Sequence, residues 1–206
     1  MYALVTDNEI TKLISYPKSM VIGDVQYPAK IFQLWSTSEL NAIGIYEVVF
    51  DDSNKKNEQW HINTNQSYAF ADGTVTASYG TATPKAHADS LWTQADSDDG
   101  DLPDDKEVGD VKVEGLKTTL IRTLKQQVAG ILSDTDWYIT RNAEKSTAIP
   151  SSISTYRDSV RTKQASMETA ITNASDTPAL ETLYTYTEQE DGTVTRPLGE
   201  LPILES

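Results

Sequence analysis

The chain has 206 residues, no cysteine, two histidines and roughly half as many cations as carboxylates. Each shortage excludes something. Without cysteine there is no disulfide framework, and folding in a reducing cytoplasm is the simplest reading. His61 and His87 have neither metal-ligand nor triad spacing, and no nucleophile and orienting group accompany them, so an enzyme is not expected. The ten glycines form no phosphate-binding loop. The opening Met1-Tyr2-Ala3-Leu4-Val5-Thr6-Asp7 lacks the basic region and apolar stretch of a signal peptide, and neither secretion by that route nor membrane spanning is expected. A net charge of −14 repels phosphate backbones, and no Lys/Arg cluster reverses it locally, so nucleic acid is excluded as a partner. Hydrophobic residues make up 38%, which leaves a core that is thin or completed by a partner.

What is present reads as an α+β chain: a strand-rich N-terminal domain with one short helix (1–95), an acidic linker (96–114), a helical hairpin or small helical module (115–190) and a tail (191–206). Residues 2–5 and 10–14 flank the turn dipeptide Asp7-Asn8 and suggest a hairpin. An apolar segment at 20–27 is interrupted by Gly23-Asp24. Ser36-Thr37-Ser38-Glu39 fits a capping box, followed by two helical turns ending at Gly44. Residues 45–50 and 59–63 read as strands, and 67–71 with 74–79 alternate around Asp72-Gly73, a strong hairpin signal.

From Asp96 to Asp110 eight carboxylates crowd a span with little apolar content, and self-repulsion predicts an extended, solvated segment. Its run Asp96-Ser97-Asp98-Asp99-Gly100-Asp101 is similar to the calcium-binding aspartate loops of thrombospondin-type repeats. The central glycine and aspartate stand in swapped order, however, and there is one copy, so neither metal nor other cofactor is expected. Beyond it Leu116, Leu120, Leu124, Val128 and Ile131 recur at helical spacing, stopping near Asp134-Thr135-Asp136. A second helix is predicted at 152–174, with Lys163 or Gln164 interrupting its stripe. A short third one is predicted around Pro178, Leu180, Leu183 and Tyr184, capped by Ser175-Asp176.

Candidate contact residues cluster in this part. Trp137, Tyr138 and Arg141 stand at a helix junction and are the residue types that dominate binding hot spots, although an interhelical Trp more often plugs the core. Tyr156 follows the same logic. Arg157 and Arg161, four apart on one face, are spaced to clamp a carboxylate from Asp134, Asp136 or a partner, with an internal salt bridge the more ordinary use. The broad stripe through Leu120, Leu124 and Val128 is expected to exceed what one partner helix covers, and so to meet another subunit or a fibre. In the N-terminal half Tyr27, Phe32, Trp35, Tyr46, Trp60 and Tyr68 are sugar-stacking types whose default place is the core.

One stretch carries a family resemblance. Ser133-Asp134-Thr135-Asp136-Trp137-Tyr138, then Arg141 and Glu144, Ile149-Pro150, Tyr156-Arg157 and Val160-Arg161, resembles the C-terminal module of tailed-bacteriophage tail fibre assembly proteins and tail assembly chaperones. In that family a helix ends in Thr-Asp-Trp and a Pro-led helix with Tyr-Arg and a second Arg follows. The likeness is close over 128–163 and extends loosely from 116 through Asp191-Gly192 and Arg196-Pro197-Leu198-Gly199-Glu200. Near the N-terminus, Tyr2-Ala3-Leu4-Val5 and Val21-Ile22-Gly23-Asp24-Val25-Gln26-Tyr27-Pro28 resemble segments of small phage tail proteins. The resemblance implies a non-catalytic tail protein, made in the host cytoplasm and located in the virion tail. It would bind tail fibre, baseplate or other tail proteins as a permanent part or an assembly chaperone, and a homo-oligomer is expected. A glycan-binding receptor module is the alternative.

Overall fold

A computed structural model describes residues 1–64 and 66–204. The chain is α+β, and its internal contacts divide it into two compact units, Met1–Thr83 and Pro84–Ser206.

The first unit opens with β1 (Tyr2–Thr6) and β2 (Glu9–Ile14), an antiparallel hairpin pairing Thr6 with Glu9. Its turn residues Asp7 and Asn8 sit at φ 53° and 65°, a left-handed pair that short polar side chains tolerate. A small ribbon, β3 (Met20–Ile22) and β4 (Val25–Tyr27), turns at Gly23-Asp24. Two helices follow, α1 (Ile31–Leu34) and α2 (Thr37–Ala42), where one was expected. The expected capping box is present: Ser36 Oγ accepts from the Glu39 amide, and Glu39 reaches back to the Ser36 amide at 2.7 Å. Next come β5 (Ile45–Asp51), a short β6 (His61–Ile62), then β7 (Ser67–Ala71) and β8 (Thr74–Ser78) around Asp72-Gly73. β6 pairs with β9 (Thr83–Pro84).

The main sheet runs β2-β1-β5-β8-β7, with β5 and β8 parallel. Because strand side chains alternate, it has two apolar faces. Ile14, Ile31, Phe32, Leu40 and Ile45 pack on one, and Ala3, Val5, Val48, Val75 and Ala77 on the other. Fully burying an Ile such as Ile14 or Ile45 contributes about 1.5–3 kcal/mol.

The second unit overturns the linker expectation. Residues 84–95 belong with the helices rather than with the strand-rich part. The acidic span is a closed excursion between β10 (Ser90–Leu91) and β11 (Val111–Val113), and it carries α3 (Gln94–Asp98). Self-repulsion is offset where Asp96, Asp98 and Asp110 face donors. Asp96 accepts from the Thr93 amide and hydroxyl and from Lys112, while Glu107 donates its amide to Asp110 at 3.0 Å. The Lys112 ammonium, which also lies 4.4 Å from the Trp92 ring centre, and then the Thr93 bonds hold the Asp96 carboxyl well below the usual range.

The helices follow: α4 (Leu116–Ser133), α5 (Asp136–Lys145), α6 (Ser151–Asn173) and α7 (Thr177–Tyr184). The Asp176 carboxylate caps α7 through the Ala179 amide, as expected from its sequence. The unexpected helix is α5, which buries none of its residues. After β12 (Thr187–Glu188) and β13 (Val194–Thr195) the chain returns to the helices. Leu198 is buried, and its carbonyl accepts from Lys163 of α6 at 2.9 Å. The cation that interrupts the α6 stripe is thus the docking point of the tail. Glu205 and Ser206, the end of the expected tail, lie outside the described residues.

Two measurements check these local accounts. Gly44 has φ +82°, and an added Cβ would stand 2.5 Å from the Val5 carbonyl oxygen, whereas Gly23 at φ +57° faces open space. Gly23→Ala is expected to cost about 1–2 kcal/mol for a left-handed alanine, and Gly44→Ala clearly more, in urea unfolding. The Asp89 carboxyl is lowered by the Gly115 amide and then the Thr118 hydroxyl. Its contribution is therefore complete above an unfolded pKa of about 3.9 and lost as pH falls through the lower folded value. Asp89→Asn is expected to lower the stability of the second unit near neutral pH and to flatten its loss on acidification.

Candidate partner-binding surface

The resemblance-bearing segment folds around one buried cation. α4 ends at Ser133, the chain turns through Asp134 and Thr135, and α5 starts at Asp136. α6 then begins after Pro150 and packs along α4. This brings Arg157, only 7% exposed, under the turn. One Nη donates to the Leu132 carbonyl at 2.8 Å and to Thr135 Oγ1 at 2.6 Å, and the other pairs with Asp136 at 2.8 Å. A planar fork is suited to three such acceptors at once, and a lysine is not. The internal salt bridge is the role observed, with Asp136 rather than Asp134. Arg161 does not share it: half-exposed, it reaches only Asp158, at 3.5 Å.

Trp137 is not a plug. It lies in the first turn of α5 and is 51% exposed, its ring 3.9 Å from that of Tyr138 between centres. The Arg141 guanidinium lies over both rings, at 4.6 and 5.6 Å, the reach that i, i+3 and i+4 spacing provides. Its Nε is buried without a hydrogen-bond partner, so stacking is what holds this cation. The result is an aromatic–guanidinium cluster in which Trp137 is exposed and Tyr138 and Arg141 are partly buried.

The leucine stripe is different. Leu124 and Val128 are 3% exposed, on the α4 face that packs against α6, and Leu120 beside them is partly buried. Leu124 and Val128 are core of this chain, not contact surface; α6, whose buried residues include Ile153, Val160, Met167 and Ile171, packs along the same helix. Tyr156 is also partly buried. The flank of α4 that stays open was missed by sequence reasoning: Thr118, Ile121, Arg122, Lys125, Gln126 and Ala129, all on this one helix, line a shallow, open groove of about 480 Å³.

The N-terminal aromatics mostly serve packing. Phe32 and Trp60 are buried, Tyr27 meets Trp35 edge-on at 5.8 Å, and Tyr46 packs on Phe70 at 4.7 Å. Among the described residues no cluster of three or more His, Cys, Asp or Glu is arranged to hold a metal, and no helix is long and apolar enough to cross a membrane. No protein-family model, curated protein or solved structure matches the chain.

Arg157→Met leaves the Leu132 carbonyl and the Thr135 hydroxyl without their donor and Asp136 without its cation. The expected loss is roughly 3 kcal/mol, near the cost of breaking charged or buried pairs. Arg157→Lys should recover only part of it, and Arg161→Ala should change stability by less than about 0.5 kcal/mol. Chemical denaturation of the three variants measures the contrast.

Proposed function

We propose that this chain is a non-catalytic bacteriophage tail protein that binds tail fibre or baseplate components. It acts either as a virion tail or fibre-attachment component or as a tail fibre assembly chaperone. In this reading it is made in the host cytoplasm and its helical part carries the partner contact. The observation that supports it most is the Trp137-Tyr138-Arg141 cluster on α5, with Trp137 exposed, inside the segment whose residues resemble the tail assembly family. Large, rigid aromatics and Arg give contact area at low entropic cost, which is why they dominate binding hot spots. A glycan-binding role is the weaker reading, since Phe32 and Trp60 are spent in the core.

Mass spectrometry of purified phage particles and of the infected-cell lysate tests the proposal. A tail component is found in particles at fixed stoichiometry with tail proteins; a chaperone is found in lysate, bound to immature fibre. Trp137→Ala should weaken capture of the tail partner at least about tenfold, as hot-spot truncation does, without lowering helix content. Absence from both particles and fibre complexes would refute the reading.

A further inference from the structure

The open flank of α4 has a composition unlike the rest of the chain. In a protein of net charge −14, the 18 residues of α4 include Lys117, Arg122 and Lys125 and not one carboxylate. The groove there has an apolar floor of Ile121 and Ala129 with Arg122 and Lys125 on it. Arg122 pairs with the exposed Glu114 at 2.6 Å, and the exposed Lys125 pairs with the partly buried Glu168 at 3.7 Å. Such pairs hold a side chain weakly and leave most of its donors to water.

The same chain carries the complementary shape. Between α3 and β11 the loop 103–110 presents Val108, 48% exposed, among Asp104, Asp105, Glu107 and Asp110. It is held in place rather than loose. The Lys106 amide donates to the Pro103 carbonyl and the Asp110 amide to that of Glu107, each at 3.0 Å, and Gly109 bonds Trp92 at 2.8 Å. Val108 thus stands among four carboxylates and one cation, Lys106, and a tip of that composition, already ordered, pays little to dock on an apolar groove flanked by cations.

We propose that the α4 groove is the seat for the 103–110 loop of a second copy of this chain, Val108 lying on Ile121 and Ala129 while the loop carboxylates meet Arg122 and Lys125. The contact is head-to-tail: each copy offers one groove and one loop, so it propagates into a ring or a filament rather than stopping at a two-fold pair. This inference stands independently of the tail reading. It moves self-association from the stripe whose Leu124 and Val128 are core to the neighbouring flank of the helix.

Sedimentation of the full-length protein over a range of concentrations tests it. Wild type should associate, and association should weaken about tenfold or more between about 0.1 M and about 1 M salt, where the screening length falls from about 10 to about 3 Å. A groove variant, Arg122→Glu with Lys125→Glu, and a loop variant, Asp104→Asn with Asp105→Asn and Glu107→Gln, should each be monomeric with unchanged circular dichroism. Mixed, they should form a one-to-one pair and nothing larger, because one intact groove then meets one intact loop. Should the groove variant fold poorly, the loop variant mixed with wild type must still cap growing assemblies and shorten them. A wild-type protein that stays monomeric, an association indifferent to salt or to both variants, or a mixture that yields no pair overturns the proposal. Capture of some other acidic protein by the groove in place of the loop would overturn it as well.

Discussion

The first turn of α4 needs acceptors for its free amides, and the way it obtains them organises the whole second unit. A helix start leaves its first N–H groups without internal partners, and Gly115 at the cap position has no side chain to offer. Residues 86–89 fill the gap. The Leu116 and Lys117 amides donate to the Ala86 and His87 carbonyls at 3.0 Å, and the Asp89 carboxylate takes the Gly115 amide and the Thr118 hydroxyl. A side chain at Gly115 would collide with the backbone of Ala88. Once 86–89 is bound there, β10 lies beside β11 and the acidic residues between them must form a closed loop. At the other end of the same segment, Thr177 donates to the Lys85 carbonyl at 2.6 Å, bringing in the start of α7.

Charge is handled consistently throughout this unit. The carboxylates that matter structurally accept from backbone amides and hydroxyls at turns and helix starts, as Asp89, Asp96, Asp176 and Asp191 do. The cations that matter close the unit from within: Arg157 under the α4–α5 turn, Lys163 on the Leu198 carbonyl, and Arg196 between the Tyr184 and Tyr186 rings. Few cations are needed because each meets several acceptors or rings. The remaining acidity is left at the surface.

Elements with a local chemical signature were legible in the sequence. Asp7-Asn8, Ser36 with Glu39, Asp72-Gly73, Asp176 before Pro178 and the α4 and α6 periodicities all act within a few residues, and they fold as their composition predicts. Long-range decisions were not legible. Nothing local tells that Asp89 caps a helix 26 residues on, so the acidic span read as a linker. α5 escaped because ten residues make fewer than three turns in which to see a period, and α1 because four residues carry none. Of the contact residues, Trp137, Tyr138 and Arg141 form one cluster with Trp137 exposed, whereas Leu124 and Val128 were placed on the wrong side of the surface, and Arg157 makes the internal salt bridge that was its more ordinary expected use. Periodicity identifies an apolar face but not which helix covers it.

A capped helix start that binds 84–113 to the helices implies that this segment opens only with them. Native-state hydrogen exchange on the intact chain measures this most directly. The account predicts that the amides of Trp92, Gly109, Leu116 and Lys117 share one opening free energy with the middle of α4 and α6. Exchange of the 92–110 amides at free-chain rates, while α4 and α6 stay protected, would contradict it and return the acidic span to the status of a linker.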